Sequence, residues 1–224
     1  MTGYPELGVP MQTAGRRGSA ATAARLFEAA EWMLTAALLA ISSPVFLGVA
    51  LTILILSRRT PFVAHLRSGQ AGQPFWMWKF RTMWPRHRPA AAPGLVERVH
   101  SVPFHWRKAN PDPRVTSRFA RFCRKYSLDE LPQLCHVLSG RMALLGPRPL
   151  TAEELAVHYG TDTAEVLSVK PGITGLWQVN GRNRLTYPQR LRLDLFFVRH
   201  NAPGLRCIIL LRSLAVVLSG RNAS

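Results

Sequence analysis

The chain has 224 residues, enough for one domain with an additional segment. Its 29 Lys and Arg residues against 12 Asp and Glu residues give a formal net charge of +17. This charge indicates anionic partners, namely nucleic acid, acidic lipid or phosphorylated substrates, although a genome-wide preference for Arg would raise it too. The three cysteines have no CxxC spacing, which argues against a disulfide framework and a cysteine-based zinc site.

The N-terminal part predicts a tail followed by a membrane-associated helix. Residues 1–24 are rich in small residues and are predicted to be disordered, and residues 32–56 contain no charged side chain. Ser43 and Pro44 lie in the middle of that run, where proline removes a backbone donor and kinks a helix. Basic residues flank both ends, whereas a spanning helix usually shows an asymmetric distribution. Two hypotheses stay open: a re-entrant helix–break–helix over residues 25–57, which we favour, and a kinked spanning helix.

Residues 58–224 are predicted to form a single cytoplasmic domain. Gly69 and Gly72 indicate a turn, and alternating aromatic and basic residues then favour a short strand. Lys79 and Arg81 would lie on the same side of this strand, where they could bind a phosphate. A solvated strand edge is the alternative. The proline-rich residues 84–107 predict a loop, whose aromatic side chains we expect at the membrane interface.

An adjacent pair of carboxylates, Asp129 and Glu130, follows a strongly basic stretch. Nearby cations should keep both groups ionised. Such a pair could hold a divalent metal, supply a nucleophile or neutralise its neighbours. Ser127 and Glu130 also have the spacing of a helix capping box, so a helix start is the simpler interpretation. This helix is predicted to run to Leu138 and to end at Gly140.

Two later segments carry candidate binding groups. Arg148 is held between Pro147 and a second proline, so it would lose little entropy on binding a phosphate. Residues 170–182 form a Gly-rich loop with polar side chains that could contact a nucleotide or a sugar. Neither a Walker loop nor a GxGxxG pattern is present.

The remaining segments predict helices. Residues 151–168 indicate an amphipathic helix to which we assign no chemistry, and residues 183–200 predict a basic helix with Asp194 as its only acid. Residues 207–218 are apolar but too short to cross a bilayer, which suits an interfacial or packed helix. The fold class predicted is α+β, mainly α, with amphipathic interfacial helices and little β structure.

Together, six short runs resemble the bacterial sugar transferases, the monotopic polyprenyl-phosphate phosphoglycosyl transferases. Each run is weakly specific, but all six follow the order found in that family. The break at Ser43 and Pro44 also resembles the re-entrant membrane helix of the family. The six runs are Lys79–Met83, Asp112–Thr116, Ser127–Gln133, Leu145–Pro149, Lys170–Gly175 and Gln178–Arg182.

The resemblance implies transfer of a sugar-1-phosphate from a UDP-sugar to undecaprenyl phosphate, with release of UMP and a requirement for Mg²⁺. It implies that Asp129 is the nucleophile, forming a phosphosugar-aspartyl intermediate, and that Glu130 holds the metal ion. It further implies a location on the cytoplasmic face of the bacterial inner membrane, at the start of exopolysaccharide, capsule, O-antigen or glycoconjugate synthesis. The other positions expected at the substrates are Lys79, Arg81, Pro147, Arg148, Lys170, Gln178, Arg182 and Asp194.

Two other functions fit the composition. A membrane-bound, basic nucleic-acid-binding protein would use the charge but leaves the carboxylate pair unexplained, and the sugar transferase hypothesis expects no nucleic-acid partner. A catalytically inactive membrane scaffold would need no carboxylate at all. The sequence leaves open which sugar is used, which polymer is begun and whether the chain forms a homodimer.

Overall fold

The structure is a computed structural model that describes residues 14–83, 95–99, 115 and 117–219, without the side chains of residues 14–25 and 183. Within these ranges the chain is mainly helical and contains short strands, as predicted. Residues 1–13, most of the predicted loop at 84–107 and most of the Asp112–Thr116 run lie outside the described residues.

A single long helix, α1 (Ala14–Ser57), forms the N-terminal part. It starts ahead of residue 25, so residues 14–24 of the predicted tail are helical, in keeping with their high alanine content. No interruption occurs at Pro44, which lies inside the helix. Proline cannot donate to the carbonyl four residues earlier, that of Ala40, and the Ser43 hydroxyl donates to this oxygen instead at 2.8 Å. This replacement explains why the helix continues where the sequence predicts a break.

One face of α1 packs against the rest of the chain along its described apolar length. Residues from Leu26 to Ser57 combine a length and a mean hydropathy of 2.4 that would allow a helix to cross a membrane. Covered or partly covered side chains nevertheless recur every three or four residues, and they form one continuous stripe. The other faces expose large apolar side chains. The stripe includes Phe27, Glu31, Thr35, Leu39, Phe46, Val49 and Ile53.

A three-stranded sheet follows α1. Strand β1 (Phe62–Ser68) pairs antiparallel with β2 (Pro74–Phe80) and parallel with β3 (Val96–Val99). The turn between β1 and β2 uses Gly72 at a φ of +75°, and β2 confirms the predicted strand. Strand β3 lies inside the segment predicted as a loop, because pairing with β1 supplies backbone partners that local sequence does not reveal.

The carboxylate segment does not begin a regular α-helix. After α2 (Arg118–Lys125), residues Leu128–Gln133 wind as a 3₁₀ turn, and α3 covers only Leu134–Leu138. Ser127 adopts a left-handed φ of 55° and its side chain caps nothing, so the predicted capping box is wrong. Pro132 within the turn lacks an amide donor, which disfavours a continuous helix. Gly140, at a φ of +73°, follows the end of α3 as predicted.

Two short strands, β4 (Ala143–Leu145) and β5 (Gly172–Thr174), pair in parallel. Their approach is so close that a Cβ on Gly172 would lie 2.1 Å from the Gly146 nitrogen. Because neither Gly146 nor Gly172 has a Cβ, the backbone of one segment can cross directly over that of the other.

The C-terminal half is helical. Residues 151–168 form two helices, α4 (Ala152–His158) and α5 (Thr163–Val166), and not the single helix predicted, since Gly160 has a φ of +47° between them. Then follow α6 (Leu176–Val179), α7 (Tyr187–Arg199) and α8 (Pro203–Ser219). Helix α7 confirms the helix predicted over 183–200. Helix α8 exposes several leucines, including Leu211, Leu214 and Leu218.

Candidate active site

The 3₁₀ turn presents Glu130 to cations from two other segments. Lys79, at the end of β2, places its Nζ 2.8 Å from Glu130 Oε1. Arg148, in the loop after β4, donates to the same oxygen from Nη1 at 3.2 Å and from Nη2 at 3.3 Å. The Glu130 side chain is only 19% exposed. Three segments far apart in sequence therefore converge on one carboxylate oxygen.

These cations determine the charge state of Glu130. Burial alone would raise the pKa of this carboxyl, but the charges of Lys79 and Arg148 outweigh burial and hold it well below its usual range. Glu130 is therefore ionised at neutral pH, as the sequence predicts.

Asp129 has a different environment. It is half-buried, and its carboxylate makes no hydrogen bond or ion pair within the part of the chain that the structure describes. Burial, helped by the negative charge of Glu130, raises the pKa of Asp129 against the opposing pull of Lys79. The sequence predicts that nearby cations keep both Asp129 and Glu130 ionised. This is only half right, because the pKa of Glu130 is lowered and that of Asp129 is raised. Of the two carboxylates, the more basic Asp129 is the better candidate for a nucleophile.

Two further arginines lie close to the pair. Arg182 interacts electrostatically with both Asp129 and Glu130, and its Nε donates to the Gln178 carbonyl oxygen at 3.2 Å. It adopts a left-handed φ of 48°, which is uncommon for a residue with a side chain. Arg124, on α2, lowers the pKa of Asp129 by its charge. Sequence analysis missed Arg124 as a site residue, because nothing distinguished it from the other cations of its basic run.

Arg81 contacts a different set of groups. Its guanidinium donates to the Thr60 carbonyl oxygen at 2.8 Å, to Thr60 Oγ1 at 2.7 Å and to Glu97 at 2.8 Å. The side chain is 4% exposed. Arg81 thus ties the chain after β2 to the segment between α1 and β1 and to β3, while Lys79 faces Glu130.

The other four predicted positions have partners of their own or lie buried elsewhere in the domain. The Pro147 carbonyl oxygen accepts from the Gly172 amide at 2.8 Å, which holds the base of the Arg148 loop. Lys170 pairs at 3.7 Å with Glu28 of α1. Gln178 is buried, and its side-chain amide has no partner among the described residues. Asp194 is buried in α7, where it accepts a hydrogen bond from the Tyr159 hydroxyl at 2.9 Å. None of these four makes a hydrogen bond or ion pair to the carboxylate pair within the described residues.

His136 is a supporting residue that no sequence signal identified. Its Nε2 accepts a hydrogen bond from the backbone amide of Trp78 at 3.0 Å. Burial, assisted by Arg141, lowers the pKa of His136 to about 4, so the ring is neutral and able to accept at neutral pH. This bond fixes β2 against α3, which places Lys79 beside the 3₁₀ turn.

The donor set fits a magnesium ion shared with a substrate. No group of three or more His, Cys, Asp or Glu side chains lies together in the described residues. Mg²⁺ is commonly held by one or two carboxylates together with substrate phosphates. The described contacts of Glu130 all fall on Oε1, so Oε2 and the Asp129 carboxylate are the oxygens suited to such an ion.

The half-buried Asp129 carboxylate, without a partner in the described ranges and close to several cations, defines an anion-binding site with a candidate nucleophile. The chain belongs to the bacterial sugar transferase family, whose model matches residues 22–220. This match confirms the family indicated by the six sequence runs.

Individual relatives cover this chain to different extents. Undecaprenyl-phosphate galactose phosphotransferase of Salmonella typhimurium is 41% identical over 69% of this chain and 32% of its own length. UDP-glucose:undecaprenyl-phosphate glucose-1-phosphate transferase of Xanthomonas campestris is 34% identical over 80% of this chain and 36% of its own length. The chain thus spans about a third of these relatives. Exopolysaccharide production protein ExoY of Rhizobium meliloti is 33% identical, over 96% of this chain and 94% of its own.

Proposed function

We propose that this chain transfers a sugar-1-phosphate from a UDP-sugar to undecaprenyl phosphate and releases UMP. The observation that carries the proposal is the Asp129 carboxylate, which has no hydrogen-bond or ion-pair partner among the described residues, beside the paired carboxylate of Glu130. Both lie within the cations Lys79, Arg124, Arg148 and Arg182. The names of the relatives, which include polyprenyl-phosphate sugar phosphotransferases, support this substrate class.

The reaction takes two displacements at one phosphorus atom. An Asp129 carboxylate oxygen attacks the phosphorus that carries the sugar, and the bond from this phosphorus to the bridging oxygen of the diphosphate breaks. UMP leaves with that oxygen and its electron pair. An oxygen of the lipid phosphate then attacks the same phosphorus, and the bond to Asp129 breaks to regenerate the carboxylate. Arg148 and Lys79 balance the charge of the phosphoryl oxygens, which is the main demand of such transfers.

Glu130 and Asp129 are the residues that would hold Mg²⁺ together with the diphosphate. When bound, the ion would neutralise charge on the diphosphate and on the departing UMP. Lys79 and Arg148 keep Glu130 ionised, which a metal ligand requires.

The substrates also indicate where the protein works, since one is water-soluble and the other is a lipid. The packing of α1 favours a helix that enters one leaflet over one that spans the bilayer. Phe27 and Ile53 both contact the same domain, although they are roughly 40 Å apart along a straight helix, more than the bilayer core. A bilayer around the middle of α1 would therefore have to enclose that domain. We propose one-leaflet insertion at the inner membrane, with the domain on the cytoplasmic face.

Substitution of the nucleophile tests the proposal. Purified wild-type protein is incubated with undecaprenyl phosphate, Mg²⁺ and a panel of UDP-sugars, and UMP release is measured. Asp129→Asn keeps the size of the side chain but removes its charge, so we expect a rate at least about 10³-fold lower. Asp162→Asn, outside the site, is the matched control and should retain the wild-type rate.

A trapping experiment tests the covalent step. After brief incubation with a donor labelled in its sugar, the denatured wild-type protein should retain label and the Asp129→Asn protein should not. Omission of Mg²⁺ should abolish UMP release. Product accumulation without labelled protein would disprove the intermediate, and wild-type rates for Asp129→Asn would remove Asp129 from the mechanism.

A further inference from the structure

A charged turn of α1 lies directly against the strand that leads to Arg148. Glu31 Oε1 accepts hydrogen bonds from the backbone amides of Leu144 at 2.5 Å and Leu145 at 3.3 Å. Glu31 is half-buried at this contact. A carboxylate that accepts amide hydrogens makes a charge-assisted bond, which is roughly twice as strong as a neutral one.

Glu31 completes the hydrogen bonding of β4. On one side, the amide of Ala143 donates to the Pro171 carbonyl at 2.8 Å and that of Gly146 donates to Thr174 at 2.9 Å. The intervening amides of Leu144 and Leu145 face Glu31. The side chain thus occupies the place that a neighbouring strand would fill at an open sheet edge.

Little flexible chain separates this contact from the active site. Only Gly146 and Pro147 lie between Leu145 and Arg148, and proline fixes its own φ and restricts the residue before it. Gly146 is closely packed, since a Cβ there would lie 2.6 Å from the Lys170 carbonyl oxygen. A shift of β4 would therefore move Arg148 away from Glu130.

The same turn of α1 contacts two more segments of the site. Trp32 Nε1 donates to the Leu138 carbonyl oxygen at 3.1 Å, at the end of the helix that follows the carboxylate pair. Glu28 pairs with Lys170, which precedes β5. Residues Glu28, Glu31 and Trp32 thus contact three segments next to the site: α3, β4 and the residues before β5.

We propose that Glu31 is a positioning residue for Arg148, acting through the backbone of β4. The placement of the apolar helix α1 is thereby coupled to the geometry around Glu130. The proposal rests on the proposed function for its effect on rate, but its effect on β4 is independent of any activity. The alternative is that Glu31 only stabilises the fold, and the experiment must distinguish this role from positioning.

The first measurement is hydrogen exchange in residues 143–150 of the full chain, purified in detergent. We expect Glu31→Ala to speed exchange at the Leu144 and Leu145 amides by at least about 10-fold, because both lose their acceptor. Glu31→Gln keeps an oxygen acceptor without the charge and should be intermediate. Glu153→Gln, on an exposed face of α4, is the matched control and should leave this segment unchanged.

The second measurement is the rate of UMP release in a double-mutant cycle with Arg148→Lys, which keeps a cation but loses the paired donors. We expect Glu31→Ala to lower kcat by about 10- to 100-fold in the wild-type chain, since small displacements of a catalytic group are costly. In a chain that already carries Arg148→Lys, Glu31→Ala should lower kcat by less than about 2-fold.

Unchanged exchange in β4, or the same fold-loss in both backgrounds, would overturn the proposal. If Glu31→Ala fails to fold, Glu31→Gln takes its place in both measurements. If the wild-type protein releases no UMP from any donor, the proposed function fails, and the exchange measurement alone decides whether Glu31 holds β4.

Discussion

Adjacent carboxylates acquire different properties here because their side chains meet different partners. Lys79 and Arg148 both bind Glu130, which lowers its pKa, whereas burial raises the pKa of Asp129. A separation of this kind is typical of sites in which two similar groups have different roles. The sequence shows the pair and the basic residues around it, but not which cation meets which carboxylate.

Asp194 shows a similar effect away from the site. Burial raises the pKa of Asp194 to about 7, despite the opposing influence of the Tyr159 hydroxyl and Arg190. The folded state therefore binds this proton more tightly than the unfolded state, whose carboxyl has a pKa near 3.8. The stability that the protonated group contributes is complete below about pH 4 and is lost as the pH rises through about 7.

Asp194→Asn should reduce this pH dependence, because an amide does not ionise but still accepts from Tyr159. At pH 8 we expect the variant to be more stable than the wild type by roughly 1–3 kcal/mol, since each pKa unit corresponds to 1.36 kcal/mol. Unfolding midpoints at pH 5 and pH 8 measure the effect, with Asp162→Asn as control. Equal pH dependence in all three proteins would contradict the prediction.

At the scale of elements, the pairing of β4 with β5 explains the structural role of Gly146 and Gly172. The sequence indicates a shaped loop at residues 170–182, with polar groups for a substrate. In the structure, Gly146 and Gly172 are backbone crossing points that fix the base of the Arg148 loop. Arg182, after β5, interacts electrostatically with both carboxylates.

Gly172→Ala should therefore be severely destabilising. Its Cβ would lie 2.1 Å from a backbone nitrogen, which cannot move aside as a flexible side chain can. We expect a loss of more than about 3 kcal/mol, or failure to fold. The control is Gly204→Ala in α8, where nothing lies within 4 Å of the added Cβ. Urea or thermal midpoints compare the variants, and equal stability of the two would refute this account.

For the whole molecule, α1 is the described element that is long and apolar enough to cross a membrane. Its composition suits a membrane helix on every side, so hydropathy cannot distinguish a spanning from a one-leaflet arrangement. The packed stripe supports the one-leaflet proposal, because the same domain contacts both halves of the helix. The helix thus combines a covered face with an exposed apolar surface.

Cysteine labelling in cells tests this arrangement. We place single cysteines at the exposed positions Leu26 and Arg58, in a chain with the exposed Cys207 replaced by Ser. If both ends of the apolar run face the cytoplasm, as proposed, a membrane-impermeant maleimide should label neither position in intact cells and both after permeabilisation. The parent Cys207→Ser chain measures background. Labelling of one position from outside would establish a spanning helix.

The family, the candidate nucleophile and most of the helices follow from sequence, because short motifs and apolar periodicity are local properties. The 3₁₀ turn at Leu128–Gln133, the strand β3 and the roles of His136 and Glu31 required the folded chain. The last three depend on partners far away in sequence: β1 for strand β3, the Trp78 amide for His136 and the amides of β4 for Glu31. Such contacts supply the free energy that overrides local preference, and no pattern of neighbouring residues records them.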